Sequence, residues 1–291
     1  MDAPYAILEE LQPGLARLLA HNPSAFTYTG TQSYFIGSKE LAIVDPGPDL
    51  PEHIEAMVEV IAGRPVVAIM CTHTHRDHSP ASRALAAATG APIIGCAPLA
   101  LETVGPRADA AFDGDYVPHR VLSDGEALEV DGRRIVAVAT PGHTSNHLCF
   151  ADEASGALFT GDHVMGWSTT VVAPPDGDMA DYISSLRKVA GRDDSVLWPT
   201  HGPPRDDGSE YVAALVAHRL ERERGVLEAL DDGRATIREI VALLYADVPQ
   251  ELHKAAGMSV WSHLLKLVAE GQVEVESSGP AALSARYHRA H

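Results

Sequence analysis

The chain has 291 residues, 45% of them hydrophobic and 21% charged, with a formal net charge of −18. That balance belongs to a globular protein with room for one large domain plus a small appendage, and it excludes a mainly disordered chain. The acidity argues against non-specific attraction to nucleic acid or anionic lipid, and no apolar run approaches the roughly 18 residues of a membrane span.

Taken in chain order, Thr31 to Phe35 and Leu41 to Val44 read as strands, the second closed by the turn Asp45-Pro46-Gly47-Pro48. Pro51 to Ala62 has Ile54, Met57, Val58 and Ile61 at helical spacing. Val66 to Cys71 is a short, wholly apolar run, as expected of a buried strand. Ser79-Pro80 predicts an N-cap and a first-turn proline for a helix over Ala81 to Thr89. Leu101 to His119 has no clear period and is expected to be a surface loop near the site. Strands follow over Ala127 to Val130, Arg134 to Thr140, His147 to Ala151 and Ala157 to Thr160, then a helix over Met179 to Ala190 and a strand over Ser195 to Pro199. The expected class is α+β, sheets covered by helices.

The last third changes character. Tyr211 to Leu230 is a long charged helix, and a second helix carries Ile237, Ile240, Val241, Leu244 and Tyr245 on one face. Met258 to Glu270 places Trp261, Leu264, Leu265 and Val268 at i, i+3, i+4, i+7. Gln272 to Glu276 and Ala285 to His288 can pair across Ser277-Ser278-Gly279-Pro280. Helices followed by a hairpin suggest a winged-helix-like module over 208–291, after a catalytic domain over 1–207.

The opening Met1-Asp2-Ala3-Pro4-Tyr5-Ala6 lacks the basic segment and apolar stretch of a signal peptide, so the expected location is cytoplasmic. Three cysteines, Cys71, Cys96 and Cys149, sit far apart in apolar runs and read as buried thiols. Fifteen histidines therefore carry the metal-binding potential, with oxygen ligands beside them.

Thr72-His73-Thr74-His75-Arg76-Asp77-His78 is the most informative segment. In an extended stretch, residues two apart point the same way, so His73 and His75 can converge on one ion. The turn into the next helix presents Asp77 and His78 to a second. Imidazole and carboxylate are proper ligands for zinc and similar divalent metals. The alternative, a polar turn with fortuitous histidines, does not suit so dense a cluster at a strand's end. Pro141-Gly142-His143, Gly161-Asp162-His163 and Thr200-His201-Gly202 repeat the pattern: a ligand-type residue just past a strand, beside a glycine.

The set His73, His75, Asp77, His78, His143, Asp162 and His201 resembles the five-motif metal site of the metallo-beta-lactamase superfamily, over about the first 205 residues. Asp45 matches its first motif, where the aspartate usually supports the ligands from outside. With the C-terminal module, the chain is most similar to beta-lactamase-like proteins carrying a winged helix, a group that includes a mitochondrial single-strand endoribonuclease and polyketide thioesterases. The resemblance implies a four-layer αββα sandwich with the site at one edge of its two sheets. It places His73, His75 and His143 on one divalent ion and Asp77, His78 and His201 on the other, zinc being the expected metal. Asp162 bridges, and Asp77 and Asp162 are the catalytic carboxylates. Such ions, about 3.5–4 Å apart, would share a bridging hydroxide that attacks the substrate. The first lactamase subclass uses a cysteine ligand; here Asp162 stands instead and no cysteine lies near a motif, which is closer to the glyoxalase, nuclease and thioesterase branches.

Other residues have two readings each. His147 and His163 could protonate a leaving group or hold neighbours in place. Arg76 could meet an anionic substrate or pair with a carboxylate. Asn146 could orient substrate or shape the turn after His143. Trp167, Tyr116 and Phe112 could wall the pocket, and Trp261 fits a helix core.

The expected activity is hydrolysis of a small ester or thioester. The alternatives are a single-strand endoribonuclease or phosphodiesterase and, with less support, a beta-lactamase. From another class, a DNA-binding regulator would use the winged helix. The region from Gly208 onward carries 9 Lys/Arg against 12 Asp/Glu, and Met258 to Glu270 offers only Lys266, so duplex DNA is disfavoured. The expected partner is a small-molecule substrate, with RNA and homo-oligomers left open and no membrane.

Overall fold

A computed structural model describes residues 4–99, 112–276 and 282–290. Two sheets form its centre. The first runs β1 (Glu9–Gln12), β2 (Leu15–Leu19), β3 (Gln32–Ile36), β4 (Leu41–Val44), β5 (Val66–Cys71), β6 (Ile93–Gly95) and β7 (Arg120–Val121), in that spatial order. Its joints are antiparallel as far as β4 and parallel beyond. The second sheet holds β8 (Ala127–Val130), β9 (Arg133–Ala139), β10 (Leu148–Asp152), β11 (Ala157–Gly161) and β12 (Val196–Pro199), ordered β12-β11-β10-β9-β8.

The layering follows from the two-residue period of a strand, read on sheets buried on both faces. Tyr34, Ile36, Val44 and Met70 of the first sheet meet Ile135, Ala137, Phe150, Phe159 and Trp198 of the second in a central core. The alternate residues face outward. Phe35, Ile43 and Ile69 pack on Met57 and Ile61 of α1 (Pro51–Ile61) and Leu85 of α2 (Ala81–Thr89). Cys149, Ala151, Leu158 and Leu197 pack on Tyr182 and Leu186 of α3 (Met179–Ala190) and Val212 of α4 (Gly208–Asp231). This is the expected αββα sandwich.

Strand direction decides where the site lies. In the first sheet β4 and β5 are parallel; in the second β11 and β12 are parallel, and β9 shares the direction of those two because it is two antiparallel steps from β11. The residues following β4, β5, β9, β11 and β12 gather at one edge. There the sheets are tied together: Gln32 N–H donates to the Thr200 carbonyl (2.9 Å), Tyr34 Oη to the Pro199 carbonyl (2.6 Å) and Leu148 N–H to the Thr72 carbonyl (2.9 Å).

The C-terminal module consists of the distal half of α4, α5 (Ile237–Leu244), α6 (His253–Ala269) and a hairpin of β13 (Val273–Val275) and β14 (Tyr287–Arg289). Its core joins Val226, Leu230, Ile240, Leu264 and Tyr287. Thr236 and Glu239 form a capping box that starts α5. Helix α4 serves both units, with Val212 and Leu215 in the sandwich and Val226 and Ala229 in the module.

The structure departs from expectation in places. Strands β1, β2, β6 and β7 are additional; they are short, and β1 is polar and half exposed. Ser79 does not cap α2, because its hydroxyl donates to Asp113 Oδ2 (2.9 Å) and Pro80 already has helical angles. Of the loop expected over Leu101 to His119, residues 101–111 lie outside the described set, while 113–119 form irregular chain. Cys71, Cys96 and Cys149 are free and buried, as expected. No helix among the described residues is long and apolar enough to cross a membrane.

Candidate metal centre

The seven predicted ligands come together as two groups, His73, His75, His143 and Asp162, and Asp77, His78 and His201. In the first, His75 Nδ1 lies 2.9 Å from His73 Nε2 and 3.1 Å from His143 Nε2, and His143 Nε2 lies 3.5 Å from Asp162 Oδ2. In the second, Asp77 Oδ2 is 3.2 Å from His201 Nε2 and 3.6 Å from His78 Nε2. Asp162 Oδ1 is 3.4 Å from both His78 Nε2 and His201 Nε2. Ligands about 2.0–2.1 Å from a tetrahedral ion stand about 3.3 Å from one another, which these spacings match.

The outward-facing atoms show which ring nitrogens carry a lone pair. His143 Nδ1 faces the Val171 carbonyl (2.6 Å) and His201 Nδ1 the Gly30 carbonyl (3.0 Å). Carbonyls only accept, so each Nδ1 bears a proton and Nε2 is the nitrogen that can offer a lone pair to an ion. His78 Nδ1 faces the Asp45 carboxylate (2.9 Å), with the same result. Thr72 Oγ1 gives its proton to Asp45 Oδ2 (2.8 Å), so it must accept from His73 Nδ1 (3.0 Å). With a proton fixed on each Nδ1, Nε2 of all four rings is the nitrogen left to face an ion.

Asp45 organises this outer ring. Wholly buried at the end of β4, with φ +48°, it also accepts from Thr72 N–H (2.8 Å) and Thr200 Oγ1 (2.9 Å). His147 does similar work for Asp162. Its Nε2 accepts the Asp162 N–H (3.2 Å) and its Nδ1 pairs with Thr140 Oγ1 (2.9 Å). Thr170 Oγ1 donates to the Asp162 carbonyl (2.7 Å). The strand-end glycines are needed for close packing: a Cβ on Gly142 would lie 2.3 Å from Tyr182 Cα, and one on Gly161 2.7 Å from His147 Nε2.

The electrostatics divide the centre. Burial, reinforced by His78, His75 and His143, holds His73 well below the usual imidazole range. Burial and His75 bring His143 down to about 4. On the other side burial again opposes charge, but Asp162, Asp77 and Asp45 outweigh it and raise His78, while Asp162 and Asp77 raise His201. Burial would raise Asp162, but His201 and His78 overcome it and hold the carboxyl well below its usual range. Asp77 is likewise held down, by His78 and His201 against burial. The site is therefore buried and sets ionised carboxylates against a ring of imidazoles. Among the described residues, Asp77 Oδ1, Asp162 Oδ1, His78 Nε2 and His201 Nε2 are buried without a hydrogen bond. Such atoms suit divalent cations, which would supply the missing partners.

A narrow pocket opens onto His75, Asp77, His143 and Asp162, walled by Phe26, Met165 and Val171. Trp167 does not line this pocket; it is exposed and stacks on Tyr28 with centroids 5.1 Å apart. Phe112 packs on the His75 ring at 4.9 Å. Tyr116 is buried in the central core instead of at the pocket. Arg76 is exposed and donates to the Phe112 carbonyl (3.3 Å). Asn146 Nδ2 donates to the Ala97 carbonyl (2.7 Å) and Thr74 Oγ1 (3.3 Å), and its Oδ1 accepts from Thr144 (2.8 Å), so it braces loops. His163 is fully buried, its ring edge-on to Tyr182, and burial brings it down to about 3.

Sequence reasoning did not anticipate Thr72 and Thr200, although Thr-His occurs at both positions and was a usable signal. Nor did it anticipate Phe26, Thr170 or the Val171 carbonyl.

A profile of the metallo-beta-lactamase superfamily matches residues 27–201. The chain belongs to the metallo-beta-lactamase superfamily. The beta-lactamase associated winged helix domain matches residues 236–282. A beta-lactamase-like protein 2 homolog of Caenorhabditis elegans is 31% identical over 278 residues, covering 92% of this chain and 88% of its own. An atrochrysone carboxyl ACP thioesterase of Aspergillus chevalieri is 31% identical over 290 residues, covering 95% and 88%. Among solved structures, a metallo-beta-lactamase family protein of Thermus thermophilus superposes with a TM-score of 0.73 at 25% identity, over 96% of this chain and all of the other. A beta-lactamase domain protein of Burkholderia ambifaria shares the fold with a TM-score of 0.81 at 22% identity, over 99% and 96%. As a member of this superfamily the chain is a hydrolase with a His/Asp cluster able to bind metal.

Proposed function

We propose that the chain is a dinuclear metal-dependent hydrolase of small esters and thioesters. His73, His75 and His143 hold one ion, Asp77, His78 and His201 the other, and Asp162 both. Zinc is the metal best suited to these ligands. The reading rests on the two oxygens of Asp162, which face different groups, Oδ2 toward His143 and Oδ1 toward His78 and His201. Bound divalent ions supply a water whose pKa is lowered toward neutrality and polarise the carbonyl under attack.

The chain's own residues fix the geometry. His147 and Thr170 clamp the backbone of Asp162 from both sides, so its carboxylate is aimed before substrate arrives. Phe26, Met165 and Val171 receive an apolar acyl portion. Neither histidine proposed as a general acid is placed for the task, since His147 uses both nitrogens and His163 is enclosed against Tyr182. A leaving group that departs without a proton suits this arrangement. A thiolate, with a conjugate acid near pKa ~8.5, does so more readily than an alkoxide. The apolar pocket and the charge of −18 also suit a small thioester better than a polyanion such as RNA. Relatives named as ACP thioesterases support the same choice.

A hydrolysis panel on zinc-loaded protein tests the reading: acyl-thioesters, a small ester, a lactone, a generic phosphodiester, a cephalosporin and single-stranded RNA. The proposal expects the highest kcat/KM on a thioester. Turnover of RNA or the phosphodiester with none on thioesters contradicts it.

A further inference from the structure

We propose that Arg219 is a positioning residue through which the C-terminal half of the molecule sets the geometry of the metal centre. The inference rests on the metal-dependent reading above and goes beyond it by assigning a role to α4.

Arg219 is only 3% exposed, and among the described residues it has no carboxylate partner. Burying an unpaired guanidinium is unfavourable unless its N–H groups are used, and here the two Nη groups find partners while Nε, among the described residues, finds none. Nη2 donates to the Thr170 carbonyl, Nη1 reaches Ser259 Oγ on α6 at 3.4 Å, and the cation lies 5.2 Å from the centre of the Tyr182 ring. Arg219 thus ties the winged-helix module to one residue of the loop beside the site.

That residue is directly linked to two ligands. Thr170 Oγ1 donates to the Asp162 carbonyl at 2.7 Å, and the next carbonyl, Val171, accepts from His143 Nδ1 at 2.6 Å. One residue, Thr170, therefore separates the guanidinium from the backbone of Asp162, and the carbonyl that fixes the His143 tautomer is on the residue next to it. A second strut from the same helix, Tyr211 Oη to the Met165 carbonyl (2.9 Å), holds the loop two turns away along α4. Helix α4 is a rigid bar carrying the loop between two points, and Arg219 is the point nearer the ligands.

The test uses the full chain as wild type, Arg219→Met, Arg219→Lys, Thr170→Val and the Arg219→Met/Thr170→Val double variant. Zinc affinity is read by chelator competition, with kcat, KM and Tm alongside. Losing a support of a ligand typically weakens metal binding about 10–100-fold. Arg219→Met is expected to fall in that range, with lowered kcat and nearly unchanged KM. Arg219→Lys recovers part of the loss by keeping a cationic donor. Thr170→Val shifts zinc affinity the same way without touching α4, and the double variant falls short of additivity because both act through one loop. Wild-type zinc affinity and kcat in Arg219→Met, with only a lower Tm, overturn the proposal. If Arg219→Met does not fold, unchanged zinc affinity in Thr170→Val overturns it equally. A wild-type chain that takes up no zinc overturns the metal reading itself, an outcome distinct from either.

Discussion

Replacing Asp45 by asparagine isolates the support of the ligands from the ligands themselves. Asparagine keeps the size of the side chain and tolerates the positive φ of +48° at this position. Oδ2 accepts from Thr72 Oγ1, Thr200 Oγ1 and His78 Nδ1, and Oδ1 accepts from Thr72 N–H. An amide must put its NH2 on one side or the other. Facing Thr72 N–H, it sets donor against donor, at about 1–3 kcal/mol for an unmatched buried group. Facing His78, the two hydroxyls can turn to accept but the imidazole N–H cannot. His78 must then move its proton to Nε2, the atom aimed at Asp77 and Asp162. Loss of the carboxylate also lowers the basicity of His78 as a ligand. A zinc affinity about 10–100-fold weaker is expected, equivalent to about 1.4–2.8 kcal/mol, together with some loss of stability in the metal-free chain. Chelator competition and urea unfolding with and without zinc measure both quantities. Wild-type values of both in Asp45→Asn refute the argument that these hydrogen bonds set the tautomers.

Gly142→Ala drives a Cβ into the backbone of α3 at Tyr182, at a φ of +135°. It should destabilise the fold by about 3 kcal/mol or more, and an unchanged denaturation midpoint counts against this packing. Burial, opposed weakly by the Pro46 carbonyl and Glu52, brings His53 from 6.5 down to about 4. As pH falls the unfolded chain takes up that proton first, so stability is lost from about pH 6.5 downward and the loss is complete near pH 4. Between pH 7 and pH 5 His53 alone should account for about 2 kcal/mol. His53→Gln, which can still bond Ser33, should show a correspondingly shallower pH dependence in urea unfolding; an identical slope contradicts the assignment. Lys266 is held by Glu223 (2.8 Å) and Glu270 (2.9 Å), so duplex DNA should bind Lys266→Ala and wild type equally weakly at every salt concentration. A salt-dependent affinity lost in the variant would revive the regulator reading.

The ligands were legible in the sequence because each sits on a strand end announced by an apolar run and a glycine or turn residue. His73 and His75 were readable from the extended-chain period alone, and the helix from Pro51 from the helical spacing of Ile54, Met57, Val58 and Ile61. The supporting ring was harder to read, since its atoms are backbone carbonyls, as at Gly30 and Val171, or hydroxyls whose partners lie far along the chain. Thr200 and Asp45 are 155 residues apart. Ser79 misled because a serine before a proline matches an N-cap locally, and only the fold brings Asp113 to its hydroxyl. Strands such as Ile93–Gly95 are too short to carry a period and form because β5 offers an edge. Arg219 looked like one charge among many on a polar helix, and its burial follows from α4 being packed on both sides.

The central claim is that these seven side chains hold two ions that the hydrolysis requires. The decisive measurement is metal content per chain by elemental analysis, taken with thioester turnover, on wild type and Asp162→Ala. Wild type should hold two zinc equivalents and lose turnover on chelation, with recovery on adding zinc back, whereas Asp162→Ala should hold less metal and show no turnover. Undiminished turnover in Asp162→Ala, or in a wild-type chain stripped of metal, would contradict the account.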